Sequence, residues 1–114
     1  MNDCLFCKII NKEIPADVVF ENEAILAFKD INPQAPTHVL IIPKIHIPTL
    51  NELEETHQTV MGELIFTASQ IAKELGIAEA GYRTGFNCGE SAGQTVWHIH
   101  LHLLGGRKFT WPPG

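Results

Sequence analysis

Hydrophobic and polar positions along the chain fall into several short extended runs and one long helical stripe. Val18–Glu21 and Ala24–Lys29 read as two strands joined at Asn22, a hairpin signal. Thr37–Ile42 (THVLII) is β-branched and apolar, which predicts a strand buried on both faces and ended by Pro43. Tyr82–Cys88 and Trp97–Leu104 read as two further strands around a loop over Gly89–Gly93. Leu53, His57, Val60, Met61, Leu64, Ile65, Ala68, Ile71, Ala72 and Leu75 recur at spacings of three and four, the mark of one long helix. Asn51 with Glu54 three residues later resembles a capping box at its start, and Gly76 stands where a helix end tolerates positive φ. A short helix is expected over Cys4–Lys12, with Leu5, Phe6, Ile9 and Ile10 on its apolar side and Pro15 as its stop. Five strands with one long and one short helix, not strictly alternating, predict an α+β fold with a five-stranded antiparallel sheet.

Composition narrows the function. A length of 114 residues fits one core, so residues 1–114 read as a single domain. Thirteen acidic against eight basic residues give a net charge of −5, which argues against broad capture of nucleic acid. A local phosphate pocket built from backbone N–H groups and neutral side chains remains compatible with that charge. No apolar run approaches the ~20 residues of a membrane span, and the N-terminus lacks the basic start and apolar stretch of a signal peptide. A cytoplasmic location is expected, and the small odd set of cysteines (Cys4, Cys7, Cys88) agrees with it.

The chemistry concentrates in Trp97-His98-Ile99-His100-Leu101-His102-Leu103-Leu104. On a strand, Trp97, Ile99, Leu101 and Leu103 face the core, while His98, His100 and His102 share the other face with Cα atoms about 6–7 Å apart. Three adjacent imidazoles can ligate zinc with a position left for water. Equally, one can act as a nucleophile while its neighbours orient it and donate protons. Alternation does not choose between these readings. The preceding loop, Asn87 to Thr95, is rich in glycine and small polar residues and can turn backbone N–H groups toward a phosphate. Cys4-Leu5-Phe6-Cys7 is a redox or metal-binding spacing in a cytosolic chain, and no thioredoxin-like pattern follows it.

The run His98-Ile99-His100-Leu101-His102-Leu103-Leu104 resembles the histidine-triad pattern. Phe28-Lys29-Asp30-Ile31-Asn32-Pro33-Gln34-Ala35-Pro36-Thr37-His38, Ile42-Pro43-Lys44-Ile45-His46, Gly93-Gln94-Thr95-Val96 and Trp111-Pro112-Pro113-Gly114 extend the likeness to the Hint branch of the histidine-triad (HIT) superfamily, the histidine-triad nucleotide-binding proteins. That resemblance implies a homodimer that hydrolyses purine nucleoside phosphoramidates to AMP or GMP and an amine. His100 would attack the α-phosphorus, His98 would orient it, His102 would contact the phosphate, and His38 would support the network. Asp30 would hold the ribose hydroxyls with Ile31 beside the nucleoside, and Asn87, Gly93, Gln94 and Thr95 match phosphate-binding positions. Phe6, Ile9 and Phe28 are candidates for a purine pocket, or simply core. Trp111 would reach the partner subunit near its active site.

No cofactor is implied for catalysis. Members that carry the CxxC imply a structural zinc at Cys4, Cys7, His46 and His98. Thr95 stands where serine is common and Trp97 where tyrosine is common, which bears on rate and leaving-group preference. The alternatives to a phosphoramidase are an AMP-binding module with little turnover and a dinucleoside polyphosphate hydrolase.

Overall fold

In the computed structural model, residues 3–114 are described; the first two positions of the expected domain lie outside them. Five strands, β1 (Val18–Glu21), β2 (Ile25–Lys29), β3 (Thr37–Pro43), β4 (Tyr82–Gly85) and β5 (Leu101–Gly105), form one sheet in the order β1-β2-β3-β5-β4. Every neighbouring pair is antiparallel, as the order of the elements predicts. Helix α1 (Leu5–Ile10) and helix α2 (Gln58–Glu74) complete the α+β architecture. Among the described residues no helix is long and apolar enough to cross a membrane.

The period-2 pattern sorts side chains onto two faces. Ile25, Ala27, Val39, Ile41, Leu101 and Leu103 pack with Leu64, Ala68, Ile71 and Ala72 of α2. Leu26, Phe28, Leu40 and Ile42 pack on the other face with Phe6 of α1. β3 is thus buried on both sides. Trp97, expected in the core, is half exposed.

Several boundaries move for identifiable reasons. His38 C=O accepts from Asp30 N–H and Lys44 N–H donates to Ala24 C=O, so even positions of β3 face β2 and odd ones face β5. Pro43 is odd and has no N–H to give, and the β3–β5 ladder stops at Ile41–Leu101. β5 therefore begins at Leu101 and not at Trp97, and β4, which pairs Gly85 with His102, has no partner for the residues up to Cys88.

α2 starts at Gln58, because Leu53 and Glu54 are extended and split the preceding segment into two short 3₁₀ turns. The capping box belongs to Thr49 and Glu52: Thr49 Oγ1 accepts from Asn51 N–H and Glu52 Oε1 accepts from Thr49 N–H, each at 3.0 Å. Asn51 and Glu54 are not its members. Gly76 does sit at φ +75° beyond the helix end. α1 ends at Ile10, where Lys12 turns to φ +65°, so Pro15 is not its stop. Ile65 and Phe66 on α2 are 52% and 65% exposed, outside the buried stripe.

Candidate active site and metal centre

On the sheet face away from α2, a cleft of about 560 Å³ opens between α1 and the strand ends. Phe6, Ile9 and Phe28 give it an apolar wall, and Asp30, Gly93, Thr95, His38, His100 and His102 give it a polar one. Phe6 meets the rings of Phe28 and His100 edge-on, with centroids 5.4 and 5.1 Å away. Burial pushes the imidazoles of His98 and His102 down to about 4 and lowers those of His38 and His100 as well. Asp30 opposes the shift at His38, His100 and His102 without reversing it. All four are neutral near pH 7, so each ring carries one proton whose place its partners decide.

Those partners leave little choice. His100 Nδ1 lies 2.8 Å from the His98 carbonyl, which only accepts, so Nδ1 holds the proton and Nε2 keeps its lone pair. On the opposite wall, Gln34 N–H donates to His38 Nδ1 at 3.0 Å, which puts the His38 proton on Nε2. That proton points to His102 Nδ1 at 2.9 Å, with Asp30 Oδ2 at 3.4 Å beside it. The remaining proton of His102 is therefore on Nε2. This atom is buried and has no hydrogen-bond partner among the described residues. One histidine thus presents a nucleophilic nitrogen and its neighbour an unspent donor, with ring centroids 4.9 Å apart.

The His98 ring turns away from the cleft. Its Nε2–H donates to Pro43 C=O at 2.8 Å, which leaves Nδ1 as the lone pair facing Cys4, Cys7 and His46. Distances to His98 Nδ1 are 3.4 Å from Cys4 Sγ, 3.6 Å from Cys7 Sγ and 3.2 Å from His46 Nδ1, and Cys7 Sγ to His46 Nδ1 is 3.4 Å. Zinc bonds of about 2.3 Å to sulfur and 2.0–2.1 Å to nitrogen give tetrahedral edges of about 3.6 Å for S–N and 3.3 Å for N–N. The four residues fit zinc. Asp30, His38 and His102 also bring their ligand atoms within 4.8 Å of one another, but they do not fit a metal. A cation on His38 Nε2 would move the ring proton to Nδ1, against the Gln34 N–H.

Other expected site residues stand apart from the cleft or are already engaged. Gln94 is a fastener: its Oε1 accepts from Gly89 N–H, and its amide donates to Pro48 C=O and Val96 C=O. The N–H groups of Ala92, Gly93 and Gln94 close a turn onto Gly89 and Glu90, so they do not form the expected phosphate cradle. Gly93, at φ +91°, lines the cleft by its backbone. Asn87 is exposed and lies off the cleft wall, Ile31 is 99% exposed at the rim, and Trp111 is 83% exposed. The sequence reading missed Gln34 and Pro43, whose contributions are main-chain atoms. The only hint was that both lie in the segments that carry the family resemblance.

Comparison with known proteins agrees with this geometry. Residues 11–109 match the HIT domain family. A 14 kDa zinc-binding protein of Zea mays is 54% identical over 112 residues, 96% of this chain and 87% of the relative. The purine nucleoside phosphoramidase of Escherichia coli (strain K12) is 51% identical over 105 residues, 92% and 88% of the two chains. A HIT family hydrolase from Legionella pneumophila Philadelphia 1 superposes with a TM-score of 0.96 at 55% identity, covering 98% of this chain and 100% of that one. With a triad, a sheet and a match spanning nearly the whole length, the chain belongs to the HIT family.

Proposed function

We propose that the protein hydrolyses the P–N bond of purine nucleoside 5′-phosphoramidates through a nucleotidyl-histidine. The supporting observation is the pair of fixed tautomers, a lone pair on His100 Nε2 beside a proton on His102 Nε2. His100 Nε2 attacks the α-phosphorus and forms the new P–N bond while the bond to the leaving amine breaks. The amine departs neutral by taking a proton from solvent, while His102 Nε2–H donates a hydrogen bond to a phosphoryl oxygen as charge builds there. Water then attacks phosphorus, frees His100 and releases AMP or GMP. Positioning and charge stabilisation carry most of such a reaction. Asp30 at the rim supplies a carboxylate for the ribose diol, Phe6 and Phe28 an apolar wall for the purine, and Thr95 a hydroxyl for the phosphate.

Zinc, when bound at Cys4, Cys7, His46 and His98, acts as a structural tie and takes no part in the chemistry at phosphorus. The named relatives, a phosphoramidase and a zinc-binding protein, favour both halves of this reading. The exposed Ile65 and Phe66 and the edge strand β4 fit a homodimer surface, and thiolate ligands suit a reducing cytoplasm.

The test is hydrolysis of adenosine 5′-phosphoramidate by the purified protein beside His100→Ala. AMP release should fall at least roughly 10⁴-fold in the variant with the fold intact, as loss of a nucleophile does. AMP binding without turnover by the wild type would instead make it a nucleotide-binding module. Preference for a dinucleoside polyphosphate would make it a hydrolase of those.

A further inference from the structure

His100 stands on a stretch of chain that the sheet does not hold. The β3–β5 ladder ends at Ile41–Leu101, and the next hydrogen-bonding pair in register would set Ile99 against Pro43, which has no N–H. Two long-range bonds fasten this stretch in place of the ladder. Ile99 N–H donates to Ile47 C=O at 2.8 Å, and His98 Nε2–H to Pro43 C=O at 2.8 Å. The imidazole of His100 in turn hangs from the stretch itself, through Nδ1–H and the His98 carbonyl. Whatever fixes the backbone of His98 therefore fixes the orientation of the nucleophile.

We infer that Cys4, Cys7 and His46 are positioning residues for His100: closed by zinc on His98, they replace the ladder that Pro43 cuts short. Three segments meet in this knot. The start of α1 brings Cys4 and Cys7, the loop after β3 brings His46, and the run into β5 brings His98. Phe6 lies between the two cysteines in sequence and packs edge-on against both His98 and His100, with centroids 6.0 and 5.1 Å away. Tying α1 to His98 thus also sets the wall against which the nucleophile rests. A tie that served stability alone would change the melting temperature and leave the chemical step untouched at temperatures where the chain is folded. A positioning tie changes kcat, because small displacements of a reacting group are costly in rate. The kinetic half of this inference rests on the phosphoramidase reading; the structural half does not.

The experiment compares three forms: zinc-loaded wild type, wild type stripped by chelator and then reloaded, and the double variant Cys4→Ser/Cys7→Ser. Zinc content, amide hydrogen exchange and steady-state hydrolysis of adenosine 5′-phosphoramidate are measured on each. We expect one zinc per wild-type chain and none in the variant. Exchange at Ile99 should speed up about tenfold while β2 and β3 keep their protection. kcat should fall roughly 10- to 100-fold with KM nearly unchanged, the range typical of lost ligand support. Reloading should restore both in stripped wild type and neither in the variant.

Should the double variant fail to fold, the strip-and-reload series decides alone. The inference is overturned if zinc leaves while Ile99 exchange and kcat stay the same, or if wild type binds no zinc. Loss of protection across the whole sheet on stripping would overturn it too, since the knot would then be a general folding element. Absence of turnover in every form would sink the phosphoramidase reading, and exchange at Ile99 would still judge the positioning.

Discussion

Two histidine clusters occupy neighbouring positions on one face of the sheet, and they differ in where their protons lie. In the first, His98 Nδ1 and His46 Nδ1 converge on two thiols at tetrahedral spacing, and the outer nitrogen of His98 is committed to Pro43 C=O. In the second, the nitrogens of His38 and His102 alternate donor and acceptor from Gln34 N–H to the buried Nε2 of His102. An imidazole lone pair that faces two sulfurs and a second imidazole nitrogen at tetrahedral spacing suits a cation. Imidazoles linked proton to lone pair pass a donor along and leave it at the end. The difference is set by backbone atoms, one carbonyl in the first case and one amide in the second.

Exchanging which cluster is damaged should separate the two roles. His102→Ala removes the terminal donor and touches no thiol or thiolate. Turnover of adenosine 5′-phosphoramidate is expected to fall about 10²–10³-fold, as loss of a donor to the charged oxygens does, with zinc content unchanged. His46→Ala should do the opposite to the metal, removing a ligand of the tetrahedral set. Metal analysis of both variants beside their kinetics checks the separation. A His102→Ala protein that has lost its zinc would merge the clusters into one functional unit.

The division between the clusters was partly legible in the sequence. Alternation in His98 to Leu103 put Ile99, Leu101 and Leu103 with α2 and the histidines on the other face, as the structure has them. The CxxC with His46 and His98 was legible only through the family resemblance, because the ligands come from three distant segments. Tautomers were not legible at all, since they depend on Gln34 N–H and the His98 and Pro43 carbonyls, and any residue type supplies a carbonyl and any but proline an N–H. Pro43 was read as a strand end, yet its effect on the opposite strand needed the register, which periodicity does not carry. Trp97 and Asn51 went astray for a related reason. Pattern places a residue on a face, while the ladder and the cap are fixed by which backbone groups find partners.

Gln94 sharpens the comparison from the side of stability. A glutamine beside three histidines invites a substrate-contacting role, but all three of its side-chain hydrogen bonds go to the loop and to Pro48. It is 5% exposed, so truncation leaves buried backbone groups unpaired. Gln94→Ala should cost about 1–3 kcal/mol in denaturant unfolding. Any loss of turnover should track that instability and disappear at lower temperature. A catalytic defect that persists in fully folded protein would return Gln94 to the phosphate site.

The smallest effect expected is the part of the pH slope that the cleft cluster contributes. His102 is held at about 4 by burial, against about 6.5 in the unfolded chain. Above pH 6.5 the group is neutral in both states and costs nothing. As pH falls below 6.5 the unfolded chain takes up a proton that the folded chain refuses, so stability drops by at most ~1.4 kcal/mol per pH unit until about pH 4. His38, lowered by burial against the opposing pull of Asp30, adds a slope of the same sign. In the zinc-loaded protein the metal ligands add a slope of their own, since unfolding frees thiolates and imidazoles to take up protons, and the difference between wild type and His102→Ala isolates the share of the cleft. Melting temperatures of loaded wild type and loaded His102→Ala across that window test it, with the variant giving the shallower line. Equal slopes would mean that the protons of the cleft are not what acid challenges first, and that the metal knot is the acid-sensitive cluster of the two.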